Sequence, residues 1–137
     1  MRSAAYDDKG GQSQPAAPPT AISTARVAVI KAAGMSDTIK SPNDCATMAH
    51  VRAGVDALDR ELIALLETRF GYMRAAARIK PDRSQVRDEP RKAQVIANAK
   101  EAAFTAGVPV GLVGDFWERL VEASIAYETE QWDLIRR

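Results

Sequence analysis

The sequence has few of the side chains that usually carry nucleophilic or metal-dependent chemistry. It contains one cysteine, Cys45, and one histidine, His50, in 137 residues. A single cysteine cannot form a disulfide within the chain, which suits a reducing cytoplasm. So few ligands argue against a zinc site built from one chain and against a catalytic triad that depends on histidine. We therefore expect a cytoplasmic protein with no metal and no cofactor, in which Cys45 is a part-buried structural residue and His50 a surface residue.

An excess of one charge and long apolar runs are also missing. The chain has 19 Lys and Arg residues against 18 Asp and Glu residues, a formal net charge of +1. This balance gives no reason to expect nucleic acid or an anionic membrane surface as a partner. No apolar run approaches the roughly 18–20 residues of a membrane-spanning helix. We predict that the protein binds neither nucleic acid nor membrane.

The first 40 residues differ from the rest of the chain. They include the stretch GGQSQPAAPP and show no sustained apolar period. Such composition predicts a disordered N-terminal extension over residues 1–40 and a folded domain over residues 41–137. The extension has no adequate apolar core for a secretory signal. Met35 is an alternative start of the protein, and the sequence leaves that choice open.

Three helices account for the pattern of the folded domain. The stretch SPND predicts a helix that begins with Ser41 as the N-cap and continues to Lys80. Further helices are predicted over Pro90–Ala106 and from Pro109 to about Ile135, with Gly107 as the C-cap between them. No segment alternates as a strand does, so the predicted fold class is all-α. The first helix, at ~1.5 Å per residue, would be about 50 Å long or more. That length exceeds the span of so small a domain, and we predict a homodimer in which two long helices pair.

Two cations interrupt the apolar stripe of the first helix. Arg69 and Lys80 are 11 positions apart, which leaves a residual rotation of only about 20° and places both on the apolar face. A buried, unpaired charge costs several kcal/mol or more, so both cations need anionic partners. Glutamates of the third helix could provide them, namely Glu118, Glu122, Glu128 and Glu130. A small anionic ligand is the alternative, because arginines hold carboxylates through paired hydrogen bonds.

Polar residues on the other helices favour the ligand. Arg91 falls in the first turn of the second helix, where free N–H groups favour anions, and Asp88 stands just before that turn. Ser124 and Glu128 are four residues apart and share one face of the third helix. Each helix therefore contributes a polar group to the expected core, which indicates a polar pocket inside the bundle.

The cation spacing also carries a family resemblance. The segment VRAGVDALDRELIALLETRFGYMRAAARIK contains R-x5-LD-x2-L-x2-LL-x2-R-x10-K and is followed by RDxxR. It resembles the first helix of the all-helical, AroQ-type chorismate mutases. SPNDC and YETEQW are similar to the isochorismate-pyruvate lyase branch of that family. The resemblance covers about residues 41 to 135 and implies an intertwined dimer with two equivalent active sites.

The resemblance implies a role for seven residues. Three are implied as catalytic. Lys80 hydrogen-bonds the ether oxygen of chorismate and a carboxylate oxygen, Glu128 lies on the other side of the ether oxygen, and Arg91 binds a carboxylate. Four are implied to bind substrate: Arg69 within the subunit, Arg52 from the other subunit, and Asp88 and Ser124 as lining of the pocket.

The implied reaction is the Claisen rearrangement of chorismate to prephenate, a step of the shikimate pathway toward aromatic amino acids. It needs no nucleophile, metal or redox cofactor, only a restrained conformer and donors aimed at the ether oxygen. Two residues depart from the usual pattern. Glu128 stands where many members have glutamine and can donate only when protonated. Lys92 stands where mutases often have a glutamate that contacts the substrate hydroxyl, which puts that contact in doubt.

Two alternatives remain open at the level of sequence. The same cations serve isochorismate-pyruvate lyase, which forms salicylate and pyruvate, although Asp88 in the RD pair favours the mutase. A non-catalytic helical dimer, acting as a regulatory or partner-binding module, belongs to a different class.

Overall fold

The structure is a computed structural model that describes residues 39–137. The described chain contains a short 3-10 turn, a long helix, a second 3-10 turn and two further helices. In chain order these are Pro42–Asp44, α1 Met48–Ile79, Arg83–Gln85, α2 Glu89–Ala106 and α3 Val110–Ile135. No strand occurs between residues 39 and 137, so the fold is all-α as predicted. Most of the predicted extension, with Met35, lies outside the described residues.

The predicted start of the first helix is wrong. Residues Pro42–Asp44 form a separate 3-10 turn rather than the first turn of α1. The Ser41 hydroxyl donates to the Asp44 carboxylate at 2.7 Å and makes no capping bond to the backbone. A serine followed by proline and an acid fits a short 3-10 turn as well as a long helix, because both begin with the same backbone angles. The half-buried Cys45 follows this turn, and its thiol donates to the Ser41 carbonyl at 3.4 Å.

Thr47 is the true N-cap of α1. Its hydroxyl accepts a bond from the backbone N–H of His50 at 3.2 Å. The His50 side chain reaches back, and its Nδ1 accepts from the backbone N–H of Ala46 at 3.1 Å. Two backbone donors at the start of the helix are thereby satisfied in the reciprocal manner of a capping box. His50 therefore has a structural role and is partly buried rather than fully on the surface.

The N-terminal half of α1 leaves its apolar stripe uncovered. Ala57 is buried beneath Ile39, which comes from the segment before the helix. On the stripe itself, however, five large apolar side chains are between 38% and 54% exposed; they are Val51, Val55, Leu58, Leu62 and Leu65. With 32 residues, α1 is about 48 Å long, and α3 packs along its C-terminal half. Residues 39–137 therefore cover only part of their longest helix.

Helices α2 and α3 form an antiparallel hairpin. Gly107 ends α2 with a left-handed φ of 72°, and its N–H bonds the carbonyl of Phe104, as the predicted C-cap requires. The Lys100 side chain of α2 lies over Gly114 of α3, where a Cβ would be 2.6 Å from Cε of Lys100. Arg69 of α1 contacts Ser124 of α3, and Lys80, further along the chain, contacts Glu128, further along α3. These two helices therefore run parallel where they meet. Between residues 39 and 137 no helix is long and apolar enough to cross a membrane.

Candidate active site

A cavity of about 350 Å³ lies between the C-terminal half of α1, the start of α2 and the middle of α3. Its lining consists of Arg69, Met73, Ala76, Lys80, Val86, Asp88, Arg91, Lys92, Val95, Val121, Ser124, Ile125 and Glu128. Six of the seven residues selected from the sequence are in this set, and Arg52 is not. Apolar side chains form the remaining walls, with only Lys92 as a further polar member. The arrangement is a cationic pocket between the three helices, and it is open to solvent on one side, where Arg91 is exposed.

Arg69 is held in the cavity by neutral oxygen. Its Nη1 donates to the Ser124 hydroxyl at 2.5 Å, and that hydroxyl in turn donates to the Leu120 carbonyl at 2.6 Å. Ser124 is buried, so this chain of bonds fixes the guanidinium group. Burial lowers the pKa of Arg69, because desolvation disfavours its charged form. No carboxylate among the described residues forms an ion pair with Arg69.

Lys80 has the partner that Arg69 lacks. Its Nζ lies 2.6 Å from Oε1 of Glu128, whose side chain is only 5% exposed. The approach does not have the geometry of a hydrogen bond, so the contact is an ion pair and Oε1 has no aligned donor. The two cations of the α1 stripe thus have different partners. The glutamate alternative raised by the sequence holds for Lys80 and fails for Arg69.

Asp88 and Arg91 are joined at the start of α2. Asp88 is the N-cap, and its Oδ1 accepts from the backbone N–H of Arg91 at 2.9 Å. The Arg91 guanidinium group is exposed and donates through Nη1 to Oε1 of Gln94 at 2.7 Å. Like Arg69, it forms no ion pair with a described carboxylate. The capping bond occupies one oxygen of Asp88, which gives this residue a structural role in addition to the predicted place in the lining.

Lys92 lines the cavity at a position where the resemblance implies a pocket residue, but its ion pairs were not predicted. Its Nζ lies 2.6 Å from Oε1 of Glu118 and 2.6 Å from Oε1 of Glu122, both on α3. The Glu122 carboxylate also accepts two hydrogen bonds from Arg87, from Nη1 to Oε1 at 3.0 Å and from Nη2 to Oε2 at 2.9 Å. The hydrogen bonds from Arg87 and Lys92 lower the pKa of Glu122 to about 2. Successive residues of a helix point about 100° apart, so the place of Lys92 next to Arg91 does not by itself indicate that both face the same cavity.

The Glu122 contacts predict an acid-dependent contribution to stability. The pKa of Glu122 is about 2 in the folded protein against an ordinary value of 4.5, so its ion pairs stabilise the fold above pH 4.5 and are lost as the pH falls toward 2. We expect Glu122→Gln to lower the free energy of unfolding at neutral pH, and the difference from wild type to shrink at pH values below 4.5. Urea unfolding at pH 7 and at about pH 3 measures this. The exposed Glu101 provides the control variant Glu101→Gln, and an equal difference at both pH values contradicts the prediction.

Arg52 lies far from the cavity of its own chain. It is exposed on α1, 17 residues before Arg69, which corresponds to about 26 Å along the helix axis. The described subunit therefore assembles only part of the predicted residue set. This distance is compatible with the resemblance, which implies that Arg52 acts in the site of a second chain.

The charges of the lining indicate the kind of ligand that the cavity suits. Four cations face it, and only Asp88 and Glu128 oppose them among the lining residues. Arginine forks and lysine ammonium groups in a partly dry pocket suit a small ligand with more than one carboxylate. The chemistry of this lining therefore suits a small organic anion.

Comparison with known proteins identifies the family of the chain. Residues 51–129 match the family model described as chorismate mutase type II, and the chain belongs to that family. The matched stretch contains all seven predicted site residues, from Arg52 to Glu128. The chain is also 24% identical over 94 residues to an isochorismate pyruvate lyase of Pseudomonas aeruginosa. Those residues make up 69% of this chain and 93% of the lyase.

Proposed function

We propose that the protein is a cytoplasmic, homodimeric chorismate mutase that rearranges chorismate to prephenate in aromatic amino acid biosynthesis. One observation carries the proposal. Both lysines of the cavity are neutralised by carboxylates, whereas Arg69 and Arg91 contact only the neutral oxygens of Ser124 and Gln94. Two guanidinium groups without carboxylate partners match the two carboxylates of chorismate.

The proposed mechanism needs no group beyond the side chains of the cavity. In the rearrangement one C–O bond breaks and one C–C bond forms within a single molecule, so no atom is exchanged with the protein. Arg69 and Arg91 hold the carboxylates and thereby restrain the substrate in the compact conformer in which the reacting carbons meet. Lys80 then donates to the ether oxygen, where negative charge develops as the C–O bond breaks. This donation requires the ammonium group to share or leave its contact with Glu128.

Glu128 restrains the donor of the proposed reaction. Its buried carboxylate contacts the ammonium group of Lys80 at 2.6 Å and, as a carboxylate, has no proton to donate to the ether oxygen, whereas a glutamine amide at this position can donate. We therefore expect Glu128→Gln to raise kcat/KM for chorismate, because the variant removes a negative charge beside the ether oxygen and adds a donor. Steady-state rates measure this, with the exposed Glu130→Gln as the control on the same helix. A Glu128→Gln protein less active than Glu130→Gln contradicts the proposed role.

The homodimer is supported by two uncovered apolar surfaces. One is the stripe of α1 from Val51 to Leu65, which continues along the helix into the cavity face of Arg69. The other is the tip of the α2–α3 hairpin, where Phe104 is 79% exposed and Leu112 65% exposed. Contiguous apolar surface of this kind marks an interface, and a symmetric pair of chains covers both surfaces at once. In such a pair Arg52 of the partner subunit completes the cavity.

The lyase reaction is the second candidate, favoured by the similarity to the Pseudomonas aeruginosa lyase over 93% of its length. Purified protein should be incubated separately with chorismate and with isochorismate while prephenate, salicylate and pyruvate are followed. We expect prephenate from chorismate. Salicylate and pyruvate from isochorismate, without prephenate from chorismate, would establish the lyase instead. Conversion of neither substrate, with no binding of either, would leave a non-catalytic helical dimer.

A further inference from the structure

The end of α3 closes over the end of α1 directly behind Lys80. The indole Nε1 of Trp132 donates to the Lys80 carbonyl at 3.0 Å, and Nη2 of Arg136 donates to the same carbonyl at 2.7 Å. Nη1 of Arg136 donates to the Ala77 carbonyl at 3.0 Å. The guanidinium group also lies 4.2 Å from the centre of the Trp132 ring, which holds the two side chains together.

These bonds satisfy groups that α1 cannot satisfy itself. The last carbonyls of a helix have no partner within it, and a cation near them also interacts favourably with the helix dipole. Pro81 follows and has no N–H to continue the helix. The N–H of Lys80 still donates to the Ala76 carbonyl at 2.9 Å. The main chain of Lys80 is therefore fixed on both sides, by its own helix through N–H and by α3 through C=O.

One face of α3 holds both ends of Lys80. Glu128 and Trp132 are four residues apart on one face of α3, and Arg136, the C-cap of that helix, follows four residues later. Glu128 contacts the ammonium group, while Trp132 and Arg136 contact the backbone carbonyl. The position of the ammonium group relative to the cavity consequently depends on how these three residues are placed against the end of α1.

We propose that Arg136 and Trp132 are positioning residues, which hold the main chain of Lys80 so that its ammonium group is placed for the reaction. The proposal rests on the proposed function for the part played by Lys80. Neither residue lines the cavity, so neither touches the substrate. Their loss is expected to affect the chemical step rather than the binding of carboxylates by Arg69 and Arg91.

Steady-state kinetics with chorismate distinguishes two roles for Arg136 and Trp132: positioning Lys80 for the reaction, or only stabilising the end of α1. We expect Arg136→Ala to lower kcat by about 10- to 100-fold with KM changed by no more than about twofold, because small displacements of a catalytic group are costly. Arg136→Lys should be intermediate, since lysine keeps a donor but cannot bridge two carbonyls. Trp132→Phe removes one donor and keeps the ring, which provides a milder variant should Arg136→Ala not fold. Arg119→Ala, an exposed change on the same helix, should match wild type.

A second readout needs no substrate. Amide hydrogen exchange at Lys80 should be faster in Arg136→Ala and Trp132→Phe than in wild type and Arg119→Ala, because the last turn of α1 opens more often. If wild type converts neither chorismate nor isochorismate, the proposed function fails. This measurement still decides whether Arg136 and Trp132 act as a clamp, that is, whether their bonds to the Lys80 carbonyl hold the last turn of α1. Unchanged exchange, an unchanged kcat, or a rise in KM alone overturns the inference.

Discussion

Lys80→Ala is expected to lower kcat for chorismate by about 10²- to 10³-fold, the effect typical of removing one donor at a site of developing charge. Arg69 and Arg91 remain in this variant, so KM should change far less than kcat. Arg78→Ala is the matched control, because Arg78 lies exposed on the same helix two residues earlier. Steady-state rates of both variants measure the difference. A Lys80→Ala protein as active as Arg78→Ala contradicts the assignment.

The loss of Lys80 also leaves Glu128 buried without its cation. Glu128 is only 5% exposed in its side chain, so the single variant is expected to lose stability as well as activity. The double variant Lys80→Ala with Glu128→Gln removes both charges and should regain stability. We expect it to remain inactive, which distinguishes a missing donor from a damaged fold. Recovery of activity in the double variant would show that Lys80 serves only to neutralise Glu128.

Mixing two inactive variants is expected to restore activity. Arg52→Ala and Lys80→Ala homodimers each lack one residue at both sites, if Arg52 acts across the dimer. In a mixed dimer one site lacks both residues and the other lacks neither. Random exchange of subunits makes about half of the dimers mixed, each with one intact site, so the mixture should reach about one quarter of wild-type activity. The two variants should be unfolded and refolded together, and also separately as the control.

The alternative gives a different result in the same experiment. If Arg52 acts within its own subunit, every site of a mixed dimer lacks one residue, and activity stays at the level of the parent variants. Because Arg52 is exposed in the subunit, its replacement is not expected to disturb the fold of the chain. Restored activity thus reports on the assembly of the site alone.

Helical periodicity predicted which face of α1 lines the cavity. It did not predict which residues contact the cations on that face. The spacing of Arg69 and Lys80 places them on one face whatever the rest of the chain does. Their partners, Ser124 and Glu128, come from 55 and 48 residues further along, and the axial position of α3 decides which of them each cation meets. Sequence pattern gives the face of a helix but not its axial position against a neighbour.

The same limit explains the contacts that sequence reasoning missed. The clamp of Arg136 on the Lys80 carbonyl joins residues 56 apart, and Lys92 meets its glutamates only because α2 and α3 pack as an antiparallel hairpin. The sequence was more informative where the bonded residues are close in the chain. Gly107 was correctly predicted as a C-cap, and its N–H bonds carbonyls only three and four residues earlier. Even there, Ser41 shows that one local pattern fits both a 3-10 turn and a long helix.

The most direct test of the central claim is the affinity of the protein for chorismate, measured by calorimetry in the Lys80→Ala, Glu128→Gln background, which suppresses turnover without leaving Glu128 unpaired in the cavity. Arg69→Gln, Arg91→Gln and the control Arg78→Gln should be compared in that background. Charge-assisted hydrogen bonds contribute about 1.5–3 kcal/mol each, so we predict that each of the first two changes raises Kd by about 10- to 100-fold and that Arg78→Gln does not. Arg69→Gln binding chorismate as tightly as Arg78→Gln would contradict the claim that two guanidinium groups without carboxylate partners receive the two carboxylates of the substrate.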